Sequence, residues 1–201
     1  MKEVKKRKLI NNFYTLGEEI FSSITHGIGA LLGIAALVLS IIFAALYGNA
    51  IGVVSASIYG ATMVIMYTMS TLYHALTHKT AKKVFRIFDH CSIYLLIAGT
   101  YTPYTLVTLK GPVGWVLFGI VWATAILGIV FNSINMEKFK IFSMASYVIS
   151  GWAIIFAMKP LMQNLAMGGI ILLIAGGVFY TLGIVFYAIK IPYAHPIWHL
   201  F

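Results

Sequence analysis

Charge is scarce in this chain. Asp, Glu, Lys and Arg make up 9% of its 201 residues, where soluble domains carry about a quarter, so a soluble fold would be badly short of polar surface. Cysteine is nearly absent as well. Cys91 is the only one, which excludes an intrachain disulfide and leaves a small packed residue as its reading. The alternating pattern that builds outer-membrane barrels is also missing. A cleavable leader is not expected either, because the apolar stretch following the basic segment Lys2 to Lys8 begins too late and runs too long for a signal-peptide core.

What the chain does have is apolar length. Hydrophobic residues make up 61% and the mean hydropathy is +0.93. Apolar runs near 27–47, 51–73, 87–109, 113–132, 141–158 and 167–189 each approach the ~20 residues with which a helix crosses a bilayer. A further helix starts near His195, in Tyr193-Ala194-His195-Pro196-Ile197-Trp198-His199-Leu200-Phe201, and stops after about two turns. The expected class is all-α: a polytopic transmembrane helix bundle of seven-span architecture with the seventh helix truncated. Residues 1–25 read as a basic cytoplasmic or interfacial segment, amphipathic from Asn11 to Thr25, and 26–201 as the membrane domain.

The net charge of +9 does not call for a nucleic-acid partner once its placement is considered. With the N-terminus inside, the inner segments hold Lys2, Lys5, Lys6, Arg7, Lys8, Lys79, Lys82, Lys83, Arg86, Lys138, Lys140 and Lys190, and only Lys110 and Lys159 lie outside, 12 against 2. Retention of Lys and Arg on the cytoplasmic side produces this asymmetry. The chain is therefore expected in the cell (plasma) membrane, multi-pass, with membrane lipids as partners. Assembly as a homo-oligomer is left open.

The connections between runs are short, so neighbouring helices run antiparallel. Gly29 and Gly33 have the small-residue spacing that lets helices approach closely. Pro103, inside the third run, should kink it or open its hydrogen-bond ladder. Tyr47, Trp115 and Trp198 read as interfacial aromatics.

Ionisable residues near spans are informative, since each costs at least a few kcal/mol in a membrane unless paired or functional. Four stand out: His74 ending the second run, Asp89 opening the third, and His195 and His199 at the start of the seventh. An even-numbered span ends inside and an odd-numbered one begins inside, so all four share one face. His195 and His199, four apart, project from one side of a helix, and Pro196 is tolerated in its first turn. Three neutral imidazoles with an open position for water suit a catalytic zinc; packed or interfacial histidines are the alternative. Asp89 could orient or deprotonate that water or steady a ligand imidazole. Ser70, one turn before His74, could bond a ligand, a water or a substrate carbonyl. Glu19 and His26, two turns apart at the same face, read either as supports of the site or as a salt link to the basic loops and an interfacial group. Glu18, His78 and His90 read as solvated neighbours.

Longer motifs carry a resemblance. Glu19 to Gly27, Ser70-Thr71-Leu72-Tyr73-His74, Phe85-Arg86-Ile87-Phe88-Asp89-His90, Ala98-Gly99-Thr100-Tyr101-Thr102-Pro103, Phe179-Tyr180-Thr181-Leu182-Gly183 and His195-Pro196-Ile197-Trp198-His199 together resemble the bacterial hemolysin III family, part of the seven-span progestin and adipoQ receptor family. The resemblance implies zinc on His74, His195 and His199, with Asp89 at its water and Ser70 nearby. Two departures stand against it: Ser22 replaces an Asn frequent in the family, and the truncated seventh helix sets the histidine pair at a chain end.

Three functions follow. One is zinc-dependent hydrolysis of a lipid amide or ester, by analogy with ceramidase-like relatives, in membrane homeostasis. Another is a pore-forming cytolysin, as the family name implies, although an export signal and a soluble form would be expected of one. The third is a receptor-like protein whose zinc is structural.

Overall fold

The computed structural model describes residues 14–189 and 191–201. The basic stretch Lys2 to Lys8, the first residues of the Asn11–Thr25 segment and Lys190 lie outside them. Among the described residues the regular structure is helical throughout.

Helix α1 (Leu16–Tyr47) starts at a capping box: Thr15 Oγ accepts from the Glu18 backbone N–H at 3.3 Å, and the Glu18 carboxylate accepts from the Thr15 N–H at 2.6 Å. No proline interrupts its 32 residues. The described part of the expected interfacial lead is therefore continuous with the first span. Helix α2 (Ala50–Ala75) is capped by Asn49, whose Oδ1 accepts from Gly52 at 2.9 Å. Helix α3 (Lys79–Pro103) follows a short turn. Pro103 lacks an N–H and crowds the carbonyl four residues back, and beyond it the chain widens into a π-helical turn, Tyr104–Leu109. Helix α4 (Gly111–Asn135) returns the chain. The next span is in three pieces, α5 (Lys140–Trp152), a 3₁₀ segment Ala153–Ala157 and α6 (Met158–Asn164). Helices α7 (Met167–Ala188) and α8 (Ala194–Trp198) complete the chain.

Among the described residues five helices are long and apolar enough to cross a membrane: α1, α2, α4, the Lys140–Asn164 span and α7. The third expected run is not among them. Its 87–109 stretch is divided between α3 and the π-helical turn, and α3 carries Lys79, Lys82, Lys83, Arg86 and Asp89 in its first half. The reason is its place in the bundle. Packed against α2 and α4, α3 buries Tyr94, Ala98 and Tyr101 and has less need of a lipid-facing coat. Tyr94 OH bonds Ser146 Oγ at 2.8 Å; Tyr101 OH donates to Gly151 O and accepts from Ile154 N–H, both at 2.9 Å, at the break between α5 and the 3₁₀ segment.

The bundle is polar inside and apolar outside. Ser22, Ser55, Thr62, Ser70, Ser92, Thr102 and Asn132 are buried, whereas Leu31, Ile141, Phe156 and Leu172 are exposed. Lipid is as apolar as leucine, so helices gain little by burying leucine against each other and associate through close packing and small polar groups. At Gly29 a Cβ would come 2.8 Å from the Tyr67 ring, and at Gly33 one would lie 3.4 Å from Val64; the small-residue spacing is where α1 meets α2. Cys91 is buried, with Sγ 3.8 Å from Ser133 Oγ. Tyr47 and Trp115 are exposed at span ends. Trp198 instead packs on Tyr187 and His195, with ring centroids 4.9 and 5.1 Å away, because α8 folds against α7.

Candidate metal centre

One end of the bundle gathers the start of α1, the end of α2, the start of α3 and the whole of α8. In α1, Glu19, Ser22 and His26 are all buried, three and then four residues apart and so on one face. In α2, Ser70 and His74 are one turn apart and buried. Asp89 is buried on α3.

The turn that presents the histidine pair is built by Glu18. Its Oε1 accepts from the Tyr193 backbone N–H at 2.9 Å, fixing a residue at φ 61°, the left-handed region that non-glycine residues seldom adopt. From there one helical turn carries His195 and His199. Ala194 and Pro196 are buried, and Phe201 stacks on Phe186 at 5.1 Å, so this terminal segment is seated. Glu18, expected to be solvated, is buried because it serves two backbone groups from both ends of the described chain.

His74, His195 and His199 come together. One ligand atom from each lies within 4.8 Å of the others, and the Nε2 atoms of His195 and His199 are 3.1 Å apart. Two nitrogens at ~2.0–2.1 Å from one tetrahedral ion sit about 3.3 Å apart, so that separation suits shared coordination as well as a hydrogen bond. His74 is oriented from behind. Its Nδ1 is 2.7 Å from Glu19 Oε2, and a carboxylate there accepts the Nδ1 proton and leaves Nε2 as the lone-pair atom. Glu19 Oε1 in turn meets Lys82 Nζ at 2.9 Å, and Lys82 also donates to Leu76 O at 3.3 Å. Glu19 thus contacts both a candidate ligand imidazole and a cation of the basic α2–α3 segment. His26 stacks on His199, centroids 3.8 Å apart and planes 15° from parallel.

The residues fit a metal by a second observation. Six buried side-chain polar atoms lack a hydrogen-bond partner among the described residues, and five belong here: Ser22 Oγ, His26 Nδ1, Ser70 Oγ, His74 Nε2 and His199 Nδ1. Buried polar groups are almost always satisfied, so a concentration of exceptions points to a binding site. Asp89 lies within electrostatic reach of His26, His74 and His195 and beside Ser70. Its Oδ2 is 3.4 Å from His90 Nδ1, so His90, expected to be solvated, flanks the acid. His78 is exposed and caps α3.

Sequence reasoning missed Lys82, Tyr14 and Tyr73. Lys82 was within reach, since a membrane-embedded Glu19 needs a paired cation and the α2–α3 turn supplies several. Tyr14 stacks on His195 at 4.3 Å, and Tyr73 lies 4.5 Å from His74. Burial holds the Tyr14 phenol well above its ordinary range, so it remains a hydrogen-bond donor.

Comparison with known proteins agrees in extent with this picture. The profile of a family described as Haemolysin-III related matches residues 14–201. A Bacillus cereus protein named Hemolysin-3 is 50% identical over 185 residues, covering 92% of this chain and 84% of its own. A Hemolysin-3 homolog of Bacillus subtilis is 49% identical over 189 residues, 94% and 89% of the two chains. The human monocyte to macrophage differentiation factor is 29% identical over 155 residues, 74% and 64%. No solved structure gives a significant match.

Proposed function

The chain belongs to the haemolysin-III-related family of multi-pass membrane proteins, and from that premise we propose that it is a zinc-dependent hydrolase of membrane lipids, cleaving an amide or ester bond in membrane homeostasis. The observation that carries the reading is the set of three imidazoles with His74 backed by a carboxylate, beside a buried acid. The basic asymmetry of the segments supports an N-terminus in the cytoplasm and a site at the inner face of the plasma membrane.

A bound zinc ion supplies a Lewis acid that polarises a carbonyl and brings water into its nucleophilic form near neutral pH. The rest is the work of the chain. Glu19 fixes the His74 tautomer, and the single turn of α8 sets His195 and His199 side by side. Asp89 takes up the proton of the attacking water and returns it to the leaving amine or alcohol. Ser70, whose buried hydroxyl lies beside Asp89, donates to the carbonyl oxygen as negative charge develops there. Apolar helix walls receive the acyl chain.

The test is release of fatty acid from defined amide and ester lipids by the purified full-length protein. Turnover should require zinc and vanish in Asp89→Asn and His74→Ala; turnover unaffected by both changes sinks the proposal. Metal that stabilises the fold while no lipid is consumed selects the receptor-like reading. The name of the Bacillus cereus relative, Hemolysin-3, supports a second reading, lysis through a pore. Defined single-channel steps and size-dependent osmotic protection of red cells would favour it over hydrolysis.

A further inference from the structure

Beside the histidines, the same end of the bundle holds a polar cavity of about 130 Å³. Arg86 and His90 of α3, Lys140 of α5, Tyr73 of α2, Tyr187 of α7 and Tyr14 line it. Its chemistry is one-sided. Tyr14, Tyr73 and Tyr187 bring three phenol donors to its wall. The main neutral acceptor is already engaged, since Asn132 Oδ1 accepts from Ser143 Oγ at 2.6 Å. The only carboxylate in the lining, Glu137, is exposed and bridged to Arg86 at 2.9 Å. With Arg86 and Glu137 neutralising each other, Lys140 is the remaining charge in the lining, and together with three phenols it describes a site for an anion.

The tyrosines also define where the cavity lies. Tyr14 is stacked on His195, Tyr73 lies against His74, and the Tyr187 ring is 6.4 Å from that of His195. A single layer of rings separates the cavity from the candidate metal centre. We propose that the cavity binds a phosphate group, carried in the headgroup of an anionic lipid whose carbonyl then reaches the histidines. Binding stands on the cavity itself; the reach to the histidines rests on the hydrolase reading. The ester carbonyls of a glycerophospholipid lie a few bonds from its phosphate, the scale of one aromatic layer.

The experiment is native mass spectrometry of the full-length protein with two ether-linked probes that cannot be hydrolysed, a dialkyl phosphatidate and the matching dialkylglycerol without phosphate. The phosphatidate should be retained at least about tenfold better, as expected for charge-assisted bonds. Lys140→Gln and Tyr187→Phe should each reduce that preference several-fold, whereas Lys110→Gln, at the opposite end of the bundle, should leave it intact. Displacement of the lipid by millimolar inorganic phosphate would support the site and identify a free phosphate species as its source. Equal retention of both probes, or a preference indifferent to Lys140→Gln and Tyr187→Phe, overturns the proposal. Repeating the measurement on His199→Ala separates the two claims. Phosphatidate retained by His199→Ala as well as by the unaltered protein supports the cavity independently of the metal; an unaltered protein that retains phosphatidate but hydrolyses nothing counts against the hydrolase alone, and hydrolysis without a phosphate preference counts against the cavity alone.

Discussion

Glu18 and Tyr193, separated by 175 residues of chain, are joined by a 2.9 Å hydrogen bond from the Tyr193 backbone to the Glu18 carboxylate. The same carboxylate closes the capping box of α1, so the start of the first helix and the turn before the histidine pair are one unit. Glu18→Ala should therefore destabilise the protein by about 1–3 kcal/mol, the range of a charge-assisted bond plus a cap, and weaken metal binding together with it. Thermal unfolding with and without zinc checks both; an unchanged midpoint and affinity would remove Glu18 from the account.

The Glu19 carboxylate between His74 and Lys82 is a buried ion pair that also orients an imidazole. Glu19→Gln is expected to lower metal affinity about 10–100-fold. Lys82→Met leaves a buried carboxylate without its cation, which costs about 3–5 kcal/mol. The double variant should recover part of that stability while metal affinity stays low, a combination that chemical denaturation and metal titration can resolve.

Ligands and proton acceptor should separate experimentally. Single changes of His74, His195 or His199 to Ala should each lose bound metal from the purified protein. Asp89→Asn should keep the metal and lose turnover by about 10²–10⁴-fold, the usual contribution of a general base. Metal analysis beside a lipid assay is the measurement, and full metal occupancy after all three histidine changes would exclude this centre.

Helices α3 and α4 meet where Tyr94 packs on Gly128. Tyr94 is buried with its ring against Gly128, and a methyl group there has no room without moving the tyrosine off Ser146. Gly128→Ala should cost about 1–3 kcal/mol by overpacking. Gly119→Ala in the same helix, with open space around it, should be neutral or slightly stabilising. Equal unfolding midpoints for the two variants would contradict this packing.

Much of the architecture was legible because it follows from solvent. A chain with 9% charged residues and runs of bilayer length leaves few alternatives to a membrane helix bundle, and topological parity alone sets His74, Asp89, His195 and His199 at one end of it. Legibility failed where a residue's role depends on a partner distant in sequence. Glu18, His90 and Trp198 read as surface groups, yet each packs or bonds at the site. The third run read as an ordinary span because its 87–109 stretch is apolar, whereas the helix that forms starts at Lys79 and takes in five charged residues before Cys91.

The sequence by itself determined the helical class, the membrane as solvent and the end of the bundle where ionisable groups collect, since burial of charge and apolar length are properties of composition and spacing. Tertiary structure alone decided that Glu19 lies between Lys82 and His74, that Glu18 anchors the turn carrying His195 and His199, and that three tyrosines stand between those histidines and a polar cavity. Those relations are distances of a few ångströms between segments up to 175 residues apart, and only the packed arrangement of the helices fixes them.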